Sequence, residues 1–357
     1  MNSTYRRITI HDVAEAAGVS IKTVSRVIRN EPKASELTRN QVRDAIERLG
    51  YVPDITARRL SSKTVPVIGL LLAGLSGASI GRAGYEYRMA LIAGANLACA
   101  EAGFGLSLVS LSESDQAPTY GELVGKVQRR EIGALIITGP TFHRPGLMDA
   151  LKKVGISVAT LSAPEGFHNG PSVVSSDRKA MAALTRLVLE KGHRHIAFIR
   201  GNSGWRDTEE RYAGFVQAMN ETGITPNPAW VLQAEYNFDA GRNCAQQLLT
   251  DSLNRPTVIM ASSDEIAAGV ISVAHEKGIA LPRDLSVTGY DDTGLARMLW
   301  PALTTVHQPV EQMTEQAVKL LVQRMQNSRS AKLASGELTL EANLVIRNSL
   351  NSPNSLP

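Results

Sequence analysis

The spacing of apolar positions changes near residue 65 of this 357-residue chain. Before that point, apolar residues recur at helical intervals in short segments. Residues 9–28, TIHDVAEAAGVSIKTVSRVI, predict two helices joined by a turn at Gly18, and residues 38–49 predict a third helix that ends at Gly50. The expected helix caps are Thr9, Ser20 and Thr38. Three short helices with one shared core make a compact N-terminal head.

From residue 67 onward, apolar runs alternate with helical stretches. The runs are VIGLLL, LSLVS, ALIIT and SVATL, followed by IAFIR, WVLQA, TVIMA and LSVTGY. Apolar strands that alternate with helices are typical of parallel sheets covered on both faces. Roughly four strands fall on each side of a Pro- and Gly-rich stretch at 163–171, and one sheet of eight strands would be unusually large. The pattern therefore predicts two α/β lobes with a cleft between them.

Composition narrows the class of protein. Hydrophobic residues make up 43% and charged residues 20% of the chain, which is ordinary for a globular protein. No apolar run approaches the roughly 20 residues of a membrane helix, and the N-terminus lacks the apolar core of a signal peptide. We therefore expect a cytoplasmic protein without a membrane partner. Cys99 and Cys244 have no partner spacing for zinc or redox chemistry and are expected to be buried fillers.

The net charge of +4 is unevenly distributed. Residues 1–63 carry twelve Lys and Arg against seven acidic residues, a net of +5, while the remaining 26 basic and 27 acidic residues give −1. All the excess positive charge therefore lies in the first sixth of the chain. Together with a helix-turn-helix pattern, a basic N-terminal head indicates binding to a polyanion such as DNA.

Several segments carry a family resemblance. ITIHDVAEAAGVSIKTVSRVI, LGYVPDITARRL, ERYAGF, SSDEIAAG and VTGYDDT resemble the lactose/galactose repressor (LacI/GalR) family of bacterial transcription regulators, in order from about residue 9 to residue 347. The resemblance implies an all-α helix-turn-helix head with a hinge helix, then a periplasmic-binding-protein-like α/β core of two doubly wound parallel-sheet lobes. The expected limits are 1–53 for the head, 54–65 for the hinge helix and linker, 66–163 plus 293–328 for the N-terminal lobe, 164–292 plus 329–350 for the C-terminal lobe, and 351–357 for a polar tail.

The second helix of the head carries the expected DNA contacts. In the resembling family its first residues enter the major groove, which maps onto Ile21, Lys22 and Arg26. Lys and Arg suit guanine O6 and N7, and Ile can contact a thymine methyl. The expected phosphate-contacting residues are Thr9, Ser20, Thr23, Ser25, Arg29, Lys33, Ser35 and Thr38. The alternative interpretation is a solvated charged helix face.

A short helix after residue 54 is expected to contact the minor groove. In the resembling family two such helices from a dimer pair there, and a leucine is wedged between base pairs. Ala57 and Leu60 match this pattern, whereas Asp54 replaces the usual Asn and would place a carboxylate near phosphates. An ordinary linker leucine is the alternative for Leu60.

The ends of the predicted strands carry the candidate ligand-binding residues. Ligands of open α/β sheets bind beyond the carboxyl ends of the strands. In the second lobe, Arg211 and Asp291 match the family's effector-binding positions, and Tyr236 falls where an aromatic is common. Ser263 departs from the common Asn, while Asp264 and Asp292 are interpreted as helix caps. The alternative for Arg211 is a surface ion pair with Glu210 or Asp207.

The first lobe offers weaker signals. The loop after the first strand contributes the candidates Ser76, Ser79, Arg82 and Tyr85. This loop lacks the pattern of a phosphate loop or a dinucleotide fingerprint. His193 and His195 have no third ligand nearby in sequence and are interpreted as structural. With no catalytic set or metal motif in a supporting context, the sequence predicts neither an enzyme nor a cofactor.

These observations predict a homodimeric, sequence-specific DNA-binding regulator, with repression of a pseudo-palindromic operator as the favoured action. The favoured effector is a sugar or sugar derivative in the cleft, and the alternatives are a purine or a protein co-regulator. A solute-binding protein would share the lobes but would need a signal peptide and no basic head. An enzyme acting in the cleft would need the catalytic residues that the sequence lacks.

Overall fold

The computed structural model describes residues 8–28, 34–51, 65–73, 84–111, 120–142, 144–165, 167, 170–251, 254–326 and 336–353. The chain divides into two compact units, Met1–Thr64 and Val65–Pro357. The first unit is the head and the second is the α/β core. Of the residues predicted to contact DNA or ligand, Arg29, Lys33, Ala57, Leu60, Ser76, Ser79 and Arg82 lie outside the described residues.

The head contains the three predicted helices, α1 (Ile10–Ala16), α2 (Ile21–Ile28) and α3 (Glu36–Leu49). The backbone amide and the hydroxyl of Thr9 both donate to the Asp12 carboxylate, each at 2.7 Å, and Ser20 Oγ accepts from the Thr23 amide at 3.2 Å. The third helix begins two residues earlier than predicted. Its cap is Ser35, whose hydroxyl accepts from the Thr38 amide at 3.3 Å.

A small apolar core holds the head together. Val13, Val24 and Val42, one from each helix, are fully buried against one another. Gly50 has φ +60°, the left-handed conformation that ends α3 as the sequence predicts. One face of α2 is committed to this core, while Ile21 and Lys22 at the start of the helix are exposed.

The second unit contains two α/β lobes. The described helices are α4 (Tyr85–Glu101), α5 (Gly121–Gln128), α6 (Leu147–Val154), α7 (Asp177–Glu190), α8 (Arg206–Glu221), α9 (Phe238–Leu248), α10 (Asp264–Glu276), α11 (Gly294–Met298) and α12 (Val310–Gln326). The described strands are β1 (Val67–Ala73), β2 (Gly105–Leu111), β3 (Ala134–Ile137), β4 (Ser157–Leu161), β5 (Ser172–Ser175), β6 (Ile196–Arg200), β7 (Val231–Gln233), β8 (Val258–Ala261), β9 (Ser286–Thr288), β10 (Thr305–His307), β11 (Glu337–Leu340) and β12 (Asn343–Val345).

The first lobe is a parallel sheet in the order β11-β5-β4-β3-β1-β2. Alternate residues of β1 face opposite layers. Ile68 and Leu70 pack with α4 and α12, whereas Leu71 packs with α5 and α6. Both faces are covered, so the strand consists almost entirely of apolar residues.

The second lobe is a parallel sheet in the order β7-β6-β8-β9. Ile199 and Ile259 pack beneath α9 and α10, whereas Phe198 and Met260 pack beneath α7 and α8. An antiparallel pair, β10 with β12, joins the second of these cores through Val306. The predicted architecture of two doubly wound lobes is confirmed.

The structure differs from the predicted lobe limits. Strand β5 pairs with β4 in the first sheet, so residues 172–175 belong to the N-terminal lobe and not to the predicted 164–292 segment. Residues 337–340 also join the first sheet, although 329–350 was expected in the second lobe. Conversely, α11 and β10 within 293–328 pack on the second lobe, through Ala296 and Val306. Asn351 is integrated as well, because its carbonyl lies 2.7 Å from the His193 ring.

Within the described part of the core, three segments connect the lobes. They lie between β5 and α7, between β10 and α12, and between β11 and β12. Short segments that connect two lobes can act as a hinge about which the lobes move. In the ranges that the structure describes, no helix has the length and apolar character needed to span a bilayer. Cys99 and Cys244 are buried free thiols, as predicted.

Candidate functional site

The exposed face of α2 carries two of the three residues predicted to contact bases. Lys22 is exposed and Ile21 is 39% exposed, while Val24 and Val27 face the core of the head. Arg26 is half-buried on the same helix. An accessible apolar and basic pair at the start of a second helix is the arrangement by which such a helix contacts base edges.

Several of the predicted phosphate-contacting hydroxyls form hydrogen bonds within the head. Ser20 Oγ and Thr23 Oγ1 lie 2.9 Å apart, and Ser35 Oγ and Thr38 Oγ1 lie 2.8 Å apart. These pairs lie at the starts of α2 and α3, where helix dipoles favour a nearby anion. Ser25 is half-buried in the middle of α2.

A cavity of about 440 Å³ lies between the two lobes of the core. Its walls come from residues at the carboxyl ends of strands in both sheets, as expected for open α/β sheets. They include Leu72, Thr138, Ser162, Asn202, Tyr236, Ser263 and Asp291.

Arg211 is the central cation of this cleft. It is 3% exposed, its Nε donates to Asp177 Oδ1 at 2.9 Å, and its Nη1 donates to the Ser262 carbonyl at 2.6 Å. Nη1 also lies 3.4 Å from Asp291 Oδ1, and the guanidinium is 3.7 Å from the centre of the Tyr290 ring. Burial opposes the charged form, yet Asp177 and Asp291 keep the Arg211 pKa well above its ordinary value. The alternative of a surface ion pair with Glu210 or Asp207 is therefore wrong.

Tyr236 is held rigidly on the second lobe. Its hydroxyl lies 2.8 Å from Thr208 Oγ1, and its ring is tilted by 31° against Trp205 with centroids 5.7 Å apart. A Cβ placed on Gly201 would lie 1.9 Å from the Tyr236 ring, so only glycine permits this approach. The two rings form an aromatic wall suited to the face of a sugar or a base.

Asp291 lies on a strained turn. Its φ of +108° and the φ of +59° at Asp292 are unusual for residues with a side chain. The turn directs the Asp291 carboxylate to Arg211 and the Asp292 carboxylate to Arg347. Asp292 is therefore an ion-pair residue, and the predicted role as a helix cap is wrong.

Ser263 caps the helix that Asp264 was expected to cap, and Asp264 is a buried structural acceptor. Ser263 caps α10, its Oγ accepting from the Ile266 amide at 3.2 Å, so this hydroxyl is already engaged although the residue lines the cleft. Asp264 is fully buried and accepts hydrogen bonds from the Thr293 amide at 2.7 Å and from Thr305 Oγ1 at 2.7 Å. It ties α10 to α11 and β10 and does not cap its own helix.

Protonation of Asp264 is expected to make stability depend on pH. Burial is the main cause that raises the Asp264 pKa from 3.8 to about 6. A raised carboxyl pKa favours the folded chain below about pH 4, and this contribution is lost as pH rises through 6. The shift corresponds to about 3 kcal/mol. We expect Asp264→Asn to flatten the fall in unfolding free energy between pH 4 and pH 7, measured by urea denaturation.

The exposed Asp239 provides the control for this experiment. Asp239→Asn retains the Asp264 carboxyl, so the fall in unfolding free energy between pH 4 and pH 7 should persist in this variant. An Asp264→Asn profile parallel to wild type would show that Asp264 is not the group that takes up the proton.

The structure also shows lining residues that sequence reasoning missed. Tyr85 is exposed on α4 and does not line the cavity, whereas Tyr87 and Arg88 on the same helix do. The buried Leu91 also lines the cavity one turn later, and this spacing identifies the inward face of the helix. The other missed lining residues include Asn202, Trp205, Asp207, Glu235 and Gln308.

His193 has a structural role, as predicted. Its two ring nitrogens lie 2.8 Å from Thr257 Oγ1 and 2.7 Å from the Asn351 carbonyl. Burial lowers the His193 pKa, which favours the neutral ring. Among the described residues, no group of three or more His, Cys, Asp or Glu is arranged to hold a metal ion.

Comparison with known proteins identifies both units. Residues 9–54 match the family described as bacterial regulatory proteins, lacI family, and residues 173–350 match a periplasmic binding protein-like domain. The HTH-type transcriptional regulator DegA of Bacillus subtilis (strain 168) is 32% identical over 352 residues, covering 98% of this chain and 100% of DegA.

Two solved structures have the same fold. One is a complex of the transcriptional regulator CelR with cellobiose, with a TM-score of 0.72 and 26% identity, covering 96% of this chain and 100% of CelR. The other is the lac repressor dimer bound to operator and the anti-inducer ONPF, with a TM-score of 0.75 and 23% identity, covering 97% of this chain and 100% of the repressor chain.

The helix-turn-helix head and the two-lobed core define a DNA-binding transcription regulator. The chain belongs to the lacI family of bacterial regulatory proteins.

Proposed function

We propose that this regulator is a repressor that binds a pseudo-palindromic operator as a homodimer and is switched by a small molecule in the cleft. The observation that carries the proposal is the buried Arg211, held by Asp177 and Asp291 at the edge of a large interlobe cavity. A charged group buried in a cleft costs free energy to maintain, which favours a ligand-binding role.

Exposed apolar side chains support the homodimer. Met298 and Trp300 are 82% and 83% exposed at neighbouring positions of the second lobe, and Leu97 and Leu108 are about half exposed on the first. Large apolar side chains exposed on the surface favour a protein interface. Two heads contact twice as many base pairs as one, and a two-fold dimer matches a pseudo-palindrome. The related lac repressor structure is a dimer bound to operator.

The hinge between the lobes supports a switch. Tyr87 and Thr138 line the cleft from the first lobe, whereas Arg211 and Asp291 line it from the second. A ligand that contacts both walls stabilises the arrangement in which the walls are close. It shifts the equilibrium only by its difference in affinity for the two arrangements.

The cleft supports a carbohydrate effector. Carboxylates and an arginine suit adjacent hydroxyl groups, and the Trp205–Tyr236 wall suits the apolar face of a sugar ring. The related regulator CelR has been solved with cellobiose. A purine is the second candidate, because the same wall can stack on a base.

The proposed DNA contacts are testable by substitution in α2. We expect Lys22→Ala and Arg26→Ala each to lose about 1 to 3 kcal/mol of operator binding and to relax base preference at one position of each half-site. The loss follows from removal of a donor to a guanine edge. Fluorescence anisotropy on an operator selected from a random duplex pool measures both effects.

Lys191→Ala removes the same charge from an exposed position of the core and should leave operator affinity unchanged. If the two α2 variants behaved like Lys191→Ala, α2 would not be the recognition helix.

A further inference from the structure

Acidic side chains outnumber basic ones by four to three among the described residues that line the cleft. Among the described lining residues, the basic side chains are Arg88, Arg206 and Arg211, and the acidic ones are Asp207, Glu235, Glu265 and Asp291. Two of these arginines form ion pairs with carboxylates that do not line the cleft. Arg211 binds Asp177, and Arg206 Nη2 donates to Glu337 Oε1 at 2.8 Å. A phosphate placed among these lining residues would lie close to more carboxylates than cations.

Backbone amides at the starts of three helices beside the cleft, α4, α9 and α10, are also occupied. Anions commonly bind the free backbone amides at such ends. At the start of α4, the Gly84 amide donates to Glu265 Oε1 at 2.7 Å. At the starts of α9 and α10, the side chains of Asn237 and Ser263 accept from backbone amides at 2.7 and 3.2 Å. At these three helix ends the protein's own oxygen atoms satisfy amides that a phosphate would use, whereas the start of α8 at Trp205 has no side-chain cap.

Gln308 contributes an acceptor that is not satisfied within the described residues. It is 3% exposed, it lines the cleft, and its Nε2 donates to Ser175 Oγ at 3.2 Å. Ser175 in turn donates to Asp177, which fixes the orientation of the Gln308 amide. Its Oε1 is buried and has no hydrogen-bond partner in the described ranges. A buried acceptor of this kind requires a donor from a ligand or a water molecule.

Asp207 lies where it can discriminate between ligands. It is half-buried in the first turn of α8, four residues before Arg211, and therefore on the same face of the helix. Burial and the Asp177 carboxylate raise the pKa of Asp207 to about 6. An ionised carboxylate accepts hydrogen bonds from hydroxyl groups and repels a phosphate.

We propose that the cleft selects neutral ligands bearing several hydroxyl groups over their phosphorylated forms, and that Asp207 determines this choice. The proposal rests on the proposed function in one respect, the use of the cleft for a small effector. In this proposal the Asp207 carboxylate accepts a hydrogen bond from one ligand hydroxyl, and Gln308 Oε1 accepts a hydrogen bond from another. Both residues line the cleft beside the Arg211 cluster, and Gln308 is joined to that cluster through Ser175 and Asp177.

The experiment uses the full chain and matched pairs of compounds. Glucose, ribose, cellobiose and adenosine are each titrated beside the phosphate ester of the same compound, by calorimetry and thermal shift at neutral pH. We expect a neutral member to bind, and to bind roughly 10-fold or more tightly than its phosphorylated form, since like charges in a cleft cost several kcal/mol. In Asp207→Asn, the neutral compound should bind about 10-fold more weakly. The ratio of its affinity to that of the phosphorylated form should therefore fall.

Glu209→Gln is the matched control. Glu209 is exposed on the same helix, pairs with Arg200 and does not line the cleft, so both affinities should remain those of wild type. Three results overturn the proposal: tighter binding of a phosphorylated member, no binding of any neutral member at millimolar concentration, or an unchanged preference in Asp207→Asn. Operator binding measured without ligand tests the proposed DNA-binding function separately. Failure of that function can therefore be distinguished from failure of the proposed ligand selectivity.

Discussion

Arg211→Met should lower the free energy of unfolding of the core by about 3 to 5 kcal/mol and abolish the response to any cleft ligand. Methionine approximates the volume of the arginine stem but removes the charge. Asp177, which is 3% exposed, and Asp291 would then remain in the cleft without their common cation. Leaving a charge buried without its partner is among the most costly single changes in a protein. Chemical denaturation measures the loss.

Two further variants separate this effect from a simple loss of charge. Arg178→Met removes an arginine that is 53% exposed and pairs with Glu210 at 2.9 Å, and surface pairs contribute only about 0 to 1 kcal/mol. The double variant Arg211→Met/Asp177→Asn should recover part of the stability, because it removes one stranded carboxylate. A loss for Arg211→Met no larger than that for Arg178→Met would refute the buried ion cluster.

Gly269→Ala should cost about 3 kcal/mol by forcing apart two helices of the second lobe. A Cβ at this position would lie 2.3 Å from the Phe238 carbonyl oxygen and 2.6 Å from the Arg242 amide nitrogen. Both obstacles are backbone atoms of α9, which cannot rotate away. Because α10 begins at Asp264, the displacement also moves the start of α10 that lines the cleft. Thermal and urea denaturation measure the loss, and ligand titration measures the change in the cleft.

Gly121→Ala is the control for Gly269→Ala. A Cβ on Gly121, at the start of α5, has no atom within 4 Å, so alanine should be neutral or should stabilise by up to about 1 kcal/mol. Equal stability of the two variants would contradict the close approach of α9 and α10.

Local patterns were sufficient to predict most of the fold. The apolar runs of the eight expected strands and the helix end at Gly50 are properties of neighbouring residues, and the structure confirms them. Strand β5 was missed because SVVS has four residues and follows a Pro- and Gly-rich stretch. Only its pairing with β4 and β11 makes it a strand. The lobe limits depend on the same long-range pairing.

The residues of the cleft were also predicted only in part from local patterns. Arg211, Tyr236 and Asp291 follow strands, and the rule that ligands bind at strand ends found them. Asp177 was missed because it lies 34 residues before Arg211, and the packing of α7 against α8 brings the two together. Tyr87 was missed because the turn of α4 that faces the cleft is set by packing against α12. The sequence suggests which residue types bind a ligand, but long-range packing selects the individual residues.

The rigid setting of Tyr236 has a consequence for the kind of ligand. The Tyr236 ring is confined by contact with Gly201 and by the hydrogen bond between its hydroxyl and Thr208 Oγ1. The side chain therefore loses almost no rotational freedom when a ligand binds. The entropy lost on binding is then mainly that of the ligand's own rotatable bonds. A cyclic compound should retain more of its contact energy in this cleft than an open-chain isomer with the same number of hydroxyl groups.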